Sequence, residues 1–353
     1  MNQLSAGLYT RREIGSQPQV WAVTLRRLQE LDTFNFPDIT KYDQVIFSGC
    51  GSTYFLSRWA ARVSESVYKT ISRAVPASDL LLFPDAWWHS GKRTLLVAVS
   101  RSGETTETIH AVERFLAAGL GDGIVITCYP ESRLAQLTPH VIAMPDAQEE
   151  SIAQTRSFTN MLLAVIWLIT RRIPDEMPDV FAEAGQRLIE KGIEVAERIG
   201  RDDSIQRLFF LGSGPLYGLA NEAMLKMKEI SLSYAESFHF HEFRHGPMSM
   251  VDKQSLIVGL ISDSAKEQQY ALLREMKLLG AHTIGLQEAD DLKAKEALDY
   301  QVLFQSGVPE IWLAPFYLPV LQLMAYERAI HKGLNPDLPA NLKSVVVLDD
   351  NPH

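Results

Sequence analysis

The sequence predicts an α/β protein built from two tandem parallel-sheet domains with helices on both faces. Three observations carry that expectation. Short, continuous apolar runs alternate with helical patterns along most of the chain, as strands buried on both faces require. The run VIFSGCGST (45–53) ends in Gly-x-Gly before a helical pattern, and LFFLGSGPL (208–216) repeats that arrangement in the second half. The apolar runs LLVAVS (95–100) and LIVGLIS (256–262) stand at nearly the same offset, so the two halves read as copies of one unit.

The elements follow in order. Residues 1–40 form a helical lead-in, in which WAVTLRRLQEL has an amphipathic pattern. Residues 41–175 form the first domain. VIFSG is a strand and 52–67 a helix; KRTLLVAV (92–99) is a strand and 104–118 a helix; GIVITCY and HVIAM are strands, and a helix covers 155–172. The proline-rich, charged segment RRIPDEMPDV (171–180) marks a boundary. A linker helix occupies 176–199, with its helical pattern clearest over 181–199. The second domain, with a C-terminal tail, takes 200–353. There RLFFLG, SLIVGLIS, HTIGLQ and YQVLFQ are strands; helices run to about residue 234, through LLREMKLLG, and over 310–331.

Composition narrows the function. The chain of 353 residues is 46% apolar and 22% charged, ordinary for a globular protein with two cores. A net charge of -9 argues against nucleic acid as a partner. It leaves room for an anionic substrate, because backbone N–H groups and helix ends bind phosphate locally. The two cysteines, Cys50 and Cys128, lie far apart in apolar runs and fit a reduced cytoplasmic setting. The N-terminus lacks the apolar core of a signal peptide. The longest greasy run, MLLAVIWLIT (161–170), is about half a membrane span, so no membrane partner is expected.

Chemistry-bearing residues gather in a few places. SRSGETTET (100–108) packs five hydroxyls into a strand-to-helix turn, with Gly103 free to take an unusual backbone angle and Arg101 able to add charge. One helix cap needs one hydroxyl, so this density points to a phosphate monoester. GCGST lacks the third glycine of a dinucleotide fingerprint, and no acidic residue ends the second strand. That argues against a nicotinamide, and no cofactor is expected. The turn SIAQTRSFT (151–159) reads equally as capping or as ligand binding. KMKEISLSYAESFHFHEFRHGPMSMVD (226–252) is the densest ionisable stretch. Its Glu229, mid-helix beside Met227 and Ile230, suits a general base, although the spacing alone favours a solvated face shared with Lys226 and Lys228. His239, His241 and His245 do not have a zinc spacing, and no metal is expected. His245, before Gly-Pro, lies on a loop and suits proton transfer. Lys343, in the tail LPANLKSVVVLDD (338–350), is a surface charge unless it is desolvated into a Schiff-base nucleophile.

Together these motifs resemble the SIS (sugar isomerase) domain family, in particular the isomerase half of glutamine–fructose-6-phosphate transaminase. The resemblance runs from REIGSQP to KSVVV. It implies that Gly51, Ser52, Thr53, Ser100, Arg101, Ser102, Thr105 and Ile152 bind a sugar phosphate. It implies that Glu229 is catalytic, that His245 opens the sugar ring and that Lys343 forms the Schiff base. Arg101 stands where the transaminase has glutamine, as in some deaminase relatives. No glutaminase segment precedes the resembling region, so ammonia drawn from glutamine is not expected. The implied activity is that of an amino-sugar phosphate isomerase/deaminase, glucosamine 6-phosphate giving fructose 6-phosphate and ammonia, in a cytoplasmic homodimer with shared active sites. A deglycase of 6-phosphorylated fructosamines and a non-catalytic sugar-phosphate sensor are the alternatives.

Overall fold

The structure, a computed structural model, describes residues 6–89 and 91–345. The end of the tail run read from the sequence, 346–353, lies outside them, as do 1–5. Two helices open the chain, α1 (Leu8–Gly15) and α2 (Gln17–Gln29). The chain then divides into two compact units.

One unit comprises Val20–Gln148, Arg156–Pro178 and the described part of the tail from Lys343. Its sheet contains β1 (Gln44–Gly49), β2 (Ile71–Pro76), β3 (Thr94–Val99), β4 (Gly121–Thr127) and β5 (Val141–Ala143), in the order β2-β1-β3-β4-β5. Every pair is parallel. β1 and β3 are buried at all positions, which is why they read as unbroken apolar runs. Helices α3 (Ser52–Tyr68), α4 (Ala77–Leu82), α5 (Thr106–Ala117) and α6 (Arg156–Thr170) complete the layers. Ile46, Leu96, Val112, Phe115 and Val125 share one core cluster. The greasy run of α6 is core, buried from Ser157 to Ile169. Among the described residues no helix is long and apolar enough to cross a membrane.

The other unit comprises the described part of Met1–Gln19, with Glu149–Thr155 and Asp179–Leu342. After helix α7 (Met177–Gly200) come β6 (Arg207–Gly212), β7 (Ala235–His239), β8 (Ser255–Leu260), β9 (His282–Gln287) and β10 (Tyr300–Leu303). Their order is β10-β9-β8-β6-β7, again all parallel. Counted within its own sheet, this is the same 2-1-3-4-5 winding. The duplication seen in the glycine loops is therefore a duplication of topology. Helices α8 (Leu216–Ser231), α9 (Lys266–Leu278), α10 (Ala294–Ala297) and α11 (Pro319–His331) follow. Phe209, Phe240, Phe243, Ile257, Tyr270 and Leu273 share its core.

Three local readings change. The last helix begins at Pro319, not near residue 310. Two short 3-10 turns, Glu310–Trp312 and Ala314–Tyr317, precede it, because Pro315 and Pro319 cannot donate N–H groups and so break a continuous helix. β7, AESFH, was hidden in the sequence: an edge strand with polar side chains has no apolar run to betray it. Glu229 lies in the last turn of α8 and not at its middle.

The start of the lead-in is bound into this second unit by a buried carboxylate. Asp337 accepts from Thr10 N–H (2.7 Å), Thr10 Oγ1–H (2.8 Å) and Tyr9 N–H (3.2 Å). Thr10 is fully buried, so these donors have no access to water. We expect Asp337→Ala to lower stability by about 2–3 kcal/mol, read as a shift of the urea midpoint with unchanged slope; an unshifted midpoint would show that the lead-in is not anchored there.

Candidate functional site

β1 and β3 are hydrogen-bonded neighbours, yet the segments that follow them lead to opposite sides, α3 to β2 and α5 to β4. At such a switch point the turns after both strands open away from each other and leave a crevice. Both helices begin there without a side-chain cap. The residue before α3 is Gly51 (φ 56°), which has no side chain to offer, and the residue before α5 is Thr105, whose hydroxyl makes no cap. First-turn N–H groups and the positive ends of two helix dipoles are thus presented from adjacent strands. The hydroxyls of SRSGETTET do not cap this helix.

They build the turn instead. Ser100 Oγ accepts from Gly103 N–H (3.1 Å) and Ser102 Oγ from Glu104 N–H (3.1 Å). Both act as acceptors, so each O–H remains a donor. Gly103 has φ 66°, and a Cβ there would lie 2.0 Å from Ser132 Oγ, so no other residue fits. Its carbonyl takes Leu134 N–H at 3.0 Å, and Glu104 Oε1 takes Arg133 N–H at 2.8 Å. The turn is therefore clamped before any ligand arrives.

In GCGST the two hydroxyls differ. Thr53 Oγ1 donates to Cys50 O (2.9 Å) and accepts from Cys50 N–H (3.0 Å), so it ties its own loop. Ser52 is buried, and its hydroxyl has no partner among the described residues. Cys50 lies past the end of β1, with Sγ 3.6 Å from Thr108 Oγ1, and burial pushes its thiol up to about 11. That makes it a packing residue and not a nucleophile. Arg101 is buried; its Nη2 donates to Ser344 O at 2.9 Å, next to Lys343. Lys343 itself is exposed.

The ionisable stretch lies in the other unit, and its helix face is not solvated. Lys226 is 1% exposed and Glu222 wholly buried. The Lys226 ammonium donates to Glu229 Oε2 and stands 3.5 Å from Glu222 Oε1. Burial disfavours the charge, but the carboxylates of Glu222 and Glu229, with Glu149 beyond them, prevail and hold the Lys226 pKa above the ordinary lysine value. The base candidate is thus gripped by a buried cation. Sequence spacing alone favoured a solvated face for Lys226, and the structure buries it. The available signal was its i+4 and i−3 relation to Glu222 and Glu229, on the face that also carries Ala223, Met227 and Ile230. His245 is exposed on the turn between the 3-10 segments His241–Arg244 and Pro247–Met250, fixed by its N–H to Glu242 O (3.0 Å). Its neighbour His241 takes a hydrogen bond from Arg244 (2.7 Å). Among the described residues no group of three or more His, Cys, Asp or Glu is arranged to hold a metal.

The turn SIAQTRSFT is structural at its hydroxyls. Ser151 Oγ donates to Glu13, whose carboxylate also takes Glu150 N–H (2.6 Å), and Thr155 Oγ1 donates to Glu149 (2.9 Å). Ile152 is half-buried and gives its N–H to Asp337 O (3.2 Å). The turn beside the second Gly-x-Gly loop has a different charge. After β8 the chain reads ISDSAKE, with Asp263, 3.6 Å from Lys266, between Ser262 and Ser264 as Arg101 stands between Ser100 and Ser102.

The parallel 2-1-3-4-5 sheet, repeated, with a serine/threonine turn at the first switch point, defines a doubly wound α/β class with a crevice suited to an anion. The chain belongs to the SIS domain family, which matches residues 38–171 and 204–332. It is 28% identical to the D-galactosamine-6-phosphate deaminase of Shewanella sp., over 94% of this chain and 87% of that one. Among solved structures, tagatose-6-phosphate ketose/aldose isomerase from Escherichia coli superposes with TM-score 0.84 at 25% identity, covering 95% of this chain and 96% of the other. Glucosamine-6-phosphate deaminase from Thermotoga maritima gives TM-score 0.78 at 27% identity, covering 96% and 100%. The chain also matches glutamine–fructose-6-phosphate aminotransferases but spans only part of their length, 56% of the one from Sulfurisphaera tokodaii. Its relatives are thus phosphosugar isomerases and deaminases.

Two measurements check this geometry. Lys226→Met should cost about 3–5 kcal/mol in urea unfolding, since it strands buried carboxylates; a loss under about 1 kcal/mol would mean that water already reaches the cluster. Iodoacetamide labelling of Cys50 should be slow at pH 8, where about one thiol in a thousand is ionised, and should rise roughly tenfold per pH unit. Labelling that levels off near pH 9 would contradict a buried thiol.

Proposed function

We propose that this chain deaminates and isomerises a 6-phosphorylated amino sugar, converting glucosamine 6-phosphate to fructose 6-phosphate and ammonia. The observation that supports it most is the preformed turn at Ser100–Thr105, beside the uncapped starts of α3 and α5, a receptacle for a phosphate monoester. In this reading Ser52, Ser100, Ser102 and Thr105 donate hydroxyls to the phosphate, joined by backbone N–H groups from Gly51 onward.

The chemistry follows from the substrate. His245 assists ring opening to the aldehyde, and Lys343 holds the open-chain carbonyl. Glu229 removes the proton from C2 and returns it to C1. The C2 amine thereby becomes an imine; water adds at C2, and ammonia leaves as the ketone forms. Lys226, beside Glu229, stabilises its carboxylate before transfer and donates to it throughout. The exposure of His245 suits the homodimer that the family resemblance implies, with the imidazole offered to a neighbouring subunit.

A second reading keeps the mechanism and changes the epimer. One deaminase relative, matched along 87% of its length, is named for D-galactosamine 6-phosphate.

The purified protein should be given glucosamine 6-phosphate, galactosamine 6-phosphate and fructoselysine 6-phosphate in parallel, with ammonia and hexose phosphate measured. Ammonia from the first is the expected result; from the second alone, the epimeric reading holds; glucose 6-phosphate from the third identifies a deglycase. Binding of all three with no turnover would reduce the protein to a sensor. Glu229→Gln should lower kcat by about 10²–10⁴-fold while inorganic phosphate still binds. Mixing Glu229→Ala with His245→Ala chains should restore part of the activity if subunits share sites.

A further inference from the structure

We infer that Arg101 is a positioning residue: it docks the C-terminal segment that bears Lys343 onto the phosphate turn, and it is not itself a phosphate ligand. The inference rests on the proposed role of Lys343, but its test does not.

The sequence places Arg101 between two serines of a phosphate turn, where its charge invites a phosphate. The structure gives it another partner. The side chain is 8% exposed, and Nη2 donates to the backbone carbonyl of Ser344 at 2.9 Å. Its own carbonyl is held twice, by Cys128 N–H (3.0 Å) and Thr127 Oγ1–H (3.1 Å), so the residue is locked to the end of β4. Among the described residues, the bond from Arg101 is the hydrogen bond that 343–345 receive. Lys343 is exposed, and the described residues give it no other tether of that kind.

The arrangement couples two functions through one side chain. Ser100 and Ser102, on either side of Arg101, shape the turn through Gly103 and Glu104. The guanidinium leaves the same turn toward the tail. A planar fork can fix a carbonyl directionally, whereas an ammonium on a flexible stem cannot. Arg101 thus sets where the amine of Lys343 stands relative to a phosphate seated a residue away, and a misplaced reacting group costs rate more than affinity.

Arg101→Gln and Arg101→Lys test this with three readouts. Trypsin cleavage after Lys343, followed by intact mass, reports tail docking. Titration with inorganic phosphate reports the turn. Steady-state kinetics on the amino-sugar phosphate report the coupling. Both variants are expected to release the tail about tenfold faster than wild type, because local opening exposes the bond. Phosphate affinity should change less than about twofold, and kcat should fall more than KM rises.

Unchanged cleavage in both variants overturns the inference. So does a loss of phosphate affinity of about tenfold or more in Arg101→Gln that Arg101→Lys restores, which would mark the guanidinium as a charge for the phosphate. Should Arg101→Gln fail to fold, Arg101→Lys carries the same comparison. If the wild type turns over no amino-sugar phosphate, the proposed function fails, while cleavage and phosphate titration still decide the role of Arg101.

Discussion

The strand order is the constraint on which the rest depends. Because β1 and β3 are neighbours and their helices depart toward opposite edges, the crevice at their carboxyl ends is left by topology and needs no excavation by side chains. Two helix starts face it without caps. An uncapped helix start is a cost in an ordinary protein, since its N–H groups lack partners. Here the cost is concentrated at one point and offset by any anion that arrives. Gly51 and Gly103 are both at positive φ in these turns, which shows how closely the backbone itself forms the receptacle.

The second sheet repeats the winding without repeating the receptacle. Its Gly-x-Gly loop has the same strand-to-helix form, but the neighbouring turn carries Asp263 between Ser262 and Ser264, where the first has Arg101 between Ser100 and Ser102. A carboxylate there repels a phosphate. What this unit supplies instead is a buried electrostatic cluster on α8. One ammonium, Lys226, is surrounded by carboxylates it cannot all neutralise. Such a cluster contributes little net stability, because desolvation cancels most of the attraction. Its physical value is a carboxylate, Glu229, held at fixed position beside a proton-bearing cation.

Much of this was legible from residues alone, and for identifiable reasons. β1, β3, β6 and β8 announced themselves because strands buried on both faces must be apolar throughout. SRSGETTET stood out because the number of hydroxyls exceeded what capping requires. Other features were not readable. β7 is an edge strand whose side chains carry no apolar run. The start of α11 depended on how two prolines distribute 3-10 turns. The hydroxyls of Ser151 and Thr155 looked available, and only the fold showed them bonded to Glu13 and Glu149, the first of these far away in sequence.

The sequence by itself determined the class of the fold, the duplication and the presence of a hydroxyl-rich turn, because these arise from local periodicity and from glycines and hydroxyls close together in the chain. Tertiary structure alone decided the partners of the charged groups. Lys226 reads as a surface lysine until burial forces it onto Glu222 and Glu229, and nothing in the sequence near Arg101 shows that its guanidinium meets Ser344. Charge is written in the sequence, but what neutralises it depends on which distant groups share its loss of water.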